Sequence, residues 1–272
     1  MNIFILFLLA IVQGLTEFLP ISSSGHLVLL NNFFGIDSDI KLLSILLHIA
    51  TLFSVLIYYR KEIVQLLKHP LCPTNRKIIV TTIFTCLVVL VLKSFIDRTF
   101  DGKYIFAFFT ITALLLFIGD YMAEKRYFLS RTTNFVSKNL QVHSQDITNI
   151  GLTYKQAIII GITQGIACIP GISRSGSTIA VGQICGAQDT ARYSFLISIP
   201  IIIASFVMEI LEGGISLVGV NIVPLILAMI ICFAIGLLCI KVMTKLVRQN
   251  KIALFGYYLL GLSTILVVLS FF

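Results

Sequence analysis

Charged residues are scarce in this chain. Asp, Glu, Lys and Arg make up only 12% of its 272 residues, whereas 58% are hydrophobic and the mean hydropathy is +1.02. Because soluble domains are roughly a quarter charged, this composition excludes a soluble domain and indicates an integral membrane protein. The formal net charge of +8 does not indicate nucleic-acid binding, because the basic residues lie in short loops between apolar runs, where orientation signals occur.

The chain also lacks the features of a disulfide-rich, metal-binding or signal-peptide-bearing sequence. Its six cysteines fall mostly inside apolar runs, as small buried hydrophobic residues do, and their spacing matches no metal or disulfide pattern. The N-terminus is apolar from Ile3, without a basic n-region or a small-residue cleavage site. We therefore predict neither a disulfide framework nor a signal peptide.

Long apolar runs dominate the sequence instead. Six of them come close to the ~20 residues that a helix needs to cross the hydrocarbon of a bilayer. They are residues 42–59, 78–92, 105–122, 193–211, 222–240 and 252–269. Two other units, 1–34 and 152–186, are too short for two crossings and too interrupted for one. We predict that each is a re-entrant helical hairpin, whose non-helical turn must be covered by protein or by a wet cavity.

The two interrupted units share one pattern. Residues 13–25 align without a gap with residues 164–176, and six of the aligned positions are identical. We predict a single membrane domain, residues 1–272, built from one repeat of about 1–150 and a second of about 151–272. Paired interrupted segments in the two halves of a membrane protein are the best sequence pointer to its binding site.

The distribution of Lys and Arg predicts the orientation. Fourteen of these residues lie in the loops 60–77, 123–155 and 241–251, against four in the loops of the opposite side, so the first set is cytoplasmic and both termini are extracytoplasmic. Each half has one hairpin and three crossings, so the second half is inverted relative to the first. The predicted fold is an all-α polytopic membrane protein with two inverted-topology repeats and six full spans.

Two charged side chains stand out in the interrupted segments. Glu17 lies in an otherwise apolar stretch, and a carboxylate at membrane depth is costly enough to indicate function. Arg174 is the obvious opposite charge, and the two share one pocket if the hairpins meet near the midplane. A purely structural salt bridge between the repeats is the alternative.

The second break has the chemistry of an anion site. Gly171 and Gly176 let the backbone turn and approach a ligand, and residues 175–178 open a new helix whose free N–H groups favour a phosphate. Arg174 adds a planar guanidinium that can bind a phosphate through two hydrogen bonds.

The first break supplies hydroxyl and imidazole groups, on Ser22, Ser23, Ser24 and His26. A histidine with a carboxylate and a serine can carry out nucleophilic or acid–base catalysis. We therefore expect Glu17, Ser23 and His26 to cluster within hydrogen-bonding or single-water distance, with Arg174 closing the pocket from the opposing hairpin. We assign structural roles to the other three histidines, His48, His69 and His143.

On these residues the chain resembles the bacterial undecaprenyl-diphosphate phosphatase family of the bacitracin-resistance type. The first motif of that family, Glu/Gln-x-x-x-Glu followed by Leu-Pro-x-Ser-Ser-x-Gly-His, matches Gln13 to His26. The second, Pro-Gly-x-Ser-Arg-Ser-Gly-x-Thr, matches Pro170 to Thr178. The resemblance covers essentially the whole chain in length, span count and order.

The resemblance implies hydrolysis of undecaprenyl diphosphate to undecaprenyl phosphate and inorganic phosphate in the bacterial plasma membrane. This reaction recycles the lipid carrier for cell-wall synthesis and confers bacitracin resistance. The resemblance also implies a divalent cation, Mg²⁺ or Ca²⁺. The residues that match catalytic positions are Glu17, His26, Arg174 and Ser23. The candidate substrate-binding residues are Gln13, Ser22, Ser24, Gly171, Ser173, Ser175, Gly176 and Thr178.

Gln13 departs from the pattern of many family members, which carry a first glutamate. The exchange weakens any scheme with two carboxylates on one metal, although Gln13 could join Glu17 through its amide oxygen. The nucleophile stays open between Ser23, a His26 phosphoryl adduct and water.

Broken helices in inverted repeats are also transporter architecture, so a flippase or carrier of a phosphorylated lipid or small anion is the second functional hypothesis. A lipid-binding scaffold is a weaker third. The expected partners are the lipid substrate and the bilayer, with no nucleic acid. A homodimer is compatible with the sequence, which does not decide the oligomeric state.

Overall fold

The computed structural model describes residues 2–35, 40–133, 147–211 and 221–270, and this part of the chain is entirely helices and short connections. The helices in chain order are α1 Ile3–Thr16, α2 Ser23–Phe34, α3 Ile40–Tyr58, α4 Arg60–Lys68, α5 Pro73–Thr99, α6 Ile105–Thr133, α7 Tyr154–Ile166, α8 Arg174–Ile184, α9 Thr190–Leu211, α10 Ile222–Arg248 and α11 Ala253–Leu269. The predicted all-α class is confirmed for these residues.

Apolar helices of spanning length identify a multi-pass membrane protein. The helices α5, α6, α9 and α10 each contain a sufficiently long apolar stretch, and α3 with α4 forms a pair bent by 76° that would make a fifth span. The 17 residues of α11 extend about 25 Å, less than the roughly 30 Å of a hydrocarbon core. The described residues therefore give four or five spans by length and composition, against the six that the apolar runs predict.

Several helices extend beyond the apolar runs that predict them. The helix α5 runs from Pro73 to Thr99, where the sequence predicts a span of residues 78–92, and α4 occupies part of a predicted loop. The backbone hydrogen bonds of a helix are formed within the helix itself, both in lipid and in water. A helix can therefore continue beyond the point where the hydrocarbon ends. Polar residues of its outer turns, such as Arg98, then lie on helix rather than on loop.

The predicted interruptions are confirmed as breaks between two pairs of short helices. The helices α1 and α2 are separated by residues 17–22, and α7 and α8 by residues 167–173. The first arm of each pair packs against a long helix of the other half of the chain, α1 on α10 and α7 on α5.

The contact between α7 and α5 depends on small residues and hydroxyl groups. A Cβ on Gly161 would lie 2.6 Å from the carbonyl oxygen of Thr81, and one on Gly165 would lie 2.6 Å from Val88 Cβ. The hydroxyl of Thr81 donates to the carbonyl of Ala157 at 3.0 Å. Between helices in lipid, such close packing and hydrogen bonding replace the hydrophobic effect. These contacts position the second break.

Candidate active site

The first break is fixed by the side chain of Ser22. This residue has φ of 68°, in the left-handed region that non-glycine residues rarely occupy, and its hydroxyl accepts a hydrogen bond from the Gly25 N–H at 3.3 Å. The N-cap bond starts α2 directly after the turn. A backbone held in this region stores about 1–3 kcal/mol of strain, which surrounding contacts must offset.

The second break repeats the same capping. The hydroxyl of Ser173 accepts from the Gly176 N–H at 3.1 Å and starts α8. Gly171 supplies the sharp turn with φ of 97°, and a Cβ there would lie 2.7 Å from Phe108 Cβ, so only glycine fits. The hydroxyl of Thr112 on α6 donates to the Gly171 carbonyl at 3.0 Å and anchors the turn.

The two breaks meet at their small residues. A Cβ on Gly25 would lie 3.0 Å from Gly171 Cα, and one on Gly176 would lie 2.8 Å from Pro20 Cβ. The Gly171 N–H donates to the Ser22 hydroxyl at 3.1 Å. The reacting groups of both hairpins can therefore converge on one place.

Glu17 and Arg174 form an ion pair across this junction. Arg174 Nη2 contacts Glu17 Oε1, although the two residues are 157 positions apart in the chain. The Glu17 side chain is 2% exposed, whereas that of Arg174 is 20% exposed. The carboxylate is thus enclosed by protein, whereas part of the Arg174 side chain stays exposed.

The other carboxylate oxygen of Glu17 receives donors from its own hairpin. The Ser23 hydroxyl donates to Glu17 Oε2 at 2.6 Å, and Gln13 Nε2 donates to the same oxygen at 3.0 Å. A hydroxyl that donates to a buried carboxylate is oriented and ready to give up its proton, which is the arrangement of an activated nucleophile. Gln13 is fully buried, and its Oε1 has no hydrogen-bond partner among the described residues.

His26 makes contacts that the sequence does not predict. Its Nδ1 lies 2.8 Å from the Ser22 carbonyl oxygen, and its Nε2 lies 2.8 Å from the Tyr258 hydroxyl on α11. The His26 and Tyr258 rings are nearly parallel, with centroids 5.8 Å apart. Both ring nitrogens of His26 are therefore occupied by other partners. Of the three residues expected to cluster, Glu17 and Ser23 are in direct contact.

His48, for which the sequence predicts a structural role, lies next to Glu17. Its Nε2 is 3.4 Å from Glu17 Oε2. The sequence does not predict this contact, because His48 lies on a different helix, α3, among mostly apolar residues. His69 is exposed at the end of α4, and its predicted structural role stays a prediction. His143 lies outside the described residues.

Most of the remaining candidate binding residues are buried, and their hydroxyl groups form hydrogen bonds within the protein. The Ser175 hydroxyl donates to the Leu19 carbonyl at 3.3 Å, and the Thr178 hydroxyl lies 2.6 Å from that of Ser194. Ser24 is partly exposed, and its hydroxyl lies 3.4 Å from that of Ser22. Direct phosphate contact stays a prediction for all of them.

Taken together, the fold and the site define a polytopic helical membrane protein with a carboxylate, a hydroxyl and a guanidinium at the junction of two broken helices. Residues 6–265 match the family model described as bacitracin resistance protein BacA. The chain belongs to this family.

Curated relatives match over nearly the whole chain. A protein of Carboxydothermus hydrogenoformans named undecaprenyl-diphosphatase is 35% identical, over 99% of this chain and 98% of the relative. A protein of Treponema denticola with the same name is 36% identical, over 97% and 96% of the two chains. One of Methanosphaera stadtmanae, again with that name, is 34% identical over the same shares.

Proposed function

We propose that this protein is an undecaprenyl-diphosphatase, which hydrolyses undecaprenyl diphosphate to undecaprenyl phosphate and inorganic phosphate. The observation that supports this activity most directly is the convergence of Ser23, Glu17 and Arg174 across the two breaks. A nucleophile, its base and a phosphate-binding cation are the parts that a phosphoryl transfer needs. The family membership and the names of the relatives point to the same substrate.

In the proposed mechanism Ser23 attacks the terminal phosphorus. Glu17 Oε2, which already accepts the Ser23 hydrogen bond, takes the proton as the new oxygen–phosphorus bond forms. The bond between the phosphorus and the bridging oxygen breaks, and undecaprenyl phosphate leaves. Water then hydrolyses the phosphoserine and releases inorganic phosphate. Arg174 binds the phosphoryl oxygens, where charge is concentrated during the transfer.

We propose that His26 takes part in the reaction from the edge of this site. Tyr258 and the Ser22 carbonyl fix its ring, and His26 is only partly buried. We propose that it moves a proton to or from the bridging oxygen or the attacking water. A phosphoryl adduct on His26 would first require the Tyr258 hydroxyl to leave Nε2, so Ser23 is the better candidate for the nucleophile.

The cation that the resemblance implies, Mg²⁺ or Ca²⁺, finds oxygen ligands here. The unpaired Oε1 of buried Gln13 and the Glu17 carboxylate lie on one hairpin and offer the hard oxygen atoms that these ions prefer. The described residues contain no group of three His, Cys, Asp or Glu that could hold a metal ion. We therefore propose that Gln13 and Glu17 hold the ion only together with the substrate phosphates, whose charge it would neutralise.

We propose that the two halves are inverted repeats, with both termini on the extracytoplasmic side of the plasma membrane. In the alignment of the two halves, Gly25 corresponds to Gly176 and Pro20 corresponds to Gly171. The Gly25–Gly171 contact therefore has its counterpart in the contact between Gly176 and Pro20, as two halves related by a two-fold axis require. In the same alignment the Ser22 cap corresponds to the Ser173 cap. The homodimer stays a prediction.

Hydrolysis by purified protein tests the proposed function. Undecaprenyl diphosphate in detergent should release one inorganic phosphate per lipid, and mass spectrometry should find undecaprenyl phosphate as the other product. Ser23→Ala should abolish this release, whereas Ser270→Ala should not, because the exposed Ser270 hydroxyl donates to the Val267 carbonyl at the end of α11. Reconstitution into vesicles distinguishes the hydrolase from the flippase hypothesis. The flippase hypothesis predicts movement of the head group across the bilayer without phosphate release. Such movement without hydrolysis would contradict the proposal.

A further inference from the structure

The Glu17 carboxylate is held by a third element besides the two hairpins. His48 is on α3, and its Nε2 lies 3.4 Å from Glu17 Oε2. One turn earlier on the same helix, the Ser44 carbonyl oxygen lies 2.6 Å from His48 Nδ1. The imidazole therefore bridges the backbone of α3 and the carboxylate of the active site.

The chemistry of the two partners shows what His48 contributes. A backbone carbonyl oxygen and a carboxylate oxygen are both acceptors, and each lies near one of the two ring nitrogens of His48. The Ser44 contact fixes the plane of the ring and leaves the opposite nitrogen, Nε2, 3.4 Å from Glu17 Oε2. A histidine that only filled space on an apolar helix would have no need of this pair of acceptors.

The orientation of the Glu17 carboxylate depends on its contacts with other side chains, because its last torsion is soft. The carboxylate of a glutamate rotates about a broad, two-fold torsion, so the side-chain rotamer alone does not determine which way the oxygens face. The proposed chemistry requires Oε2 to face Ser23 while Oε1 faces Arg174. A misplacement of about 1 Å at a reacting group can lower the rate about 100-fold.

The helix that carries His48 is well anchored. On α3, the Ser54 hydroxyl donates to the Phe233 carbonyl of α10 at 2.9 Å, and the Leu47 carbonyl accepts from Cys232 Sγ at 3.6 Å. The same helix α10 also packs against α1, which leads into Glu17. A rigid scaffold of this kind positions a reacting group more accurately than a turn does.

We propose that His48 is a positioning residue of the active site, which holds the Glu17 carboxylate in the orientation that accepts the Ser23 proton. This inference rests on the proposed role of Glu17 as the base. His48 acts through Glu17 and makes no contact with the reacting phosphorus in this scheme, so its loss should lower kcat and leave KM nearly unchanged.

Two substitutions at one position test the inference. His48→Leu keeps much of the volume and removes the imidazole contact with Glu17. We expect kcat to fall about 10- to 100-fold, because a carboxylate displaced by about 1 Å can lower the rate about 100-fold. His48→Gln can place its amide N–H where Nε2 lies now, and should keep kcat within about threefold of the wild type. KM should change less than about threefold in both. His69→Leu is the matched control, because His69 is exposed at the end of α4.

The outcomes separate this inference from the proposed function. Wild-type kcat in His48→Leu, or equal losses in the Leu and Gln variants with a lowered melting temperature, would overturn the positioning role. If His48→Leu does not fold, His48→Asn replaces it, because its shorter side chain cannot reach Glu17. Full activity of Glu17→Gln would instead overturn the proposed function, whatever the His48 variants do.

Discussion

The Ser23 hydroxyl and Glu17 Oε2 are 2.6 Å apart, the one at the start of α2 and the other at the end of α1. The contact exists because the chain reverses between the two residues, in the turn that Ser22 holds at positive φ. A continuous helix would place residues six positions apart on different faces. Interruption of the helix is thus what creates the pair.

The first prediction concerns Glu17→Gln. The amide cannot accept the Ser23 proton, so we expect turnover to fall by at least about 100-fold, within the range for loss of a positioned base. Arg174 is partly exposed and can be solvated once its partner is neutral, so the melting temperature in detergent should change little. Phosphate release and thermal unfolding are measured on the same preparation. A variant that unfolds, and that Arg174→Gln restores, would favour the structural salt bridge.

Arg174→Lys tests the phosphate-binding role. Lysine keeps the charge but loses the planar pair of donors that fits a phosphate. We expect a loss on the order of 100-fold or more in kcat/KM, comparable with removal of one strong transition-state donor. Steady-state kinetics with a polyprenyl diphosphate measure it. Near-normal kcat/KM in the lysine variant would contradict the role of the guanidinium as a phosphate clamp.

Tyr258→Phe removes the hydroxyl that contacts His26 Nε2 and retains the parallel rings. Because one hydrogen bond is lost while the ring contact remains, kcat should fall about 3- to 10-fold. Tyr257→Phe is the control, since the Tyr257 ring packs against Phe117 instead. Equal activities of the two variants would mean that the Tyr258 hydroxyl has no part in orienting His26.

Gly165→Ala tests how the second hairpin is held. The added Cβ would lie 2.6 Å from Val88 Cβ, so α7 must move away from α5 at a cost of about 1–3 kcal/mol. We expect a lower melting temperature in detergent. The same change at Gly261 meets no atom within 4 Å and should leave the melting temperature unchanged or raise it. A stable Gly165→Ala variant would show that α7 packs less tightly than described.

The sequence predicts the breaks well because their causes are local. The Pro, Gly and Ser residues around Pro20 and Gly171 act on the backbone within a few positions, and the helices end and restart there. The contact between Glu17 and Arg174 is predictable because each is a charged residue in an apolar segment, where an unpaired charge is costly. The sequence cannot decide whether that partner is structural or catalytic.

The contacts of His48 and Tyr258 could not be predicted in the same way. The Tyr258 hydroxyl meets a histidine 232 positions away, and nothing near either residue in the sequence marks the pair. Helix lengths fail for a different reason. Hydropathy shows where the apolar run ends, whereas the backbone of α5 continues for five residues before and seven after residues 78–92.

The 157 positions between Glu17 and Arg174 have a consequence for biosynthesis. At a translation rate of 5–20 residues per second, the ribosome adds Arg174 about 8 to 30 s after Glu17. During this interval the nascent first hairpin carries a carboxylate without the cation that later neutralises it. The newly made segment must keep this group hydrated, or protonated, until the second hairpin arrives. A nascent chain that ends before Arg174 therefore lacks the cation of the active site.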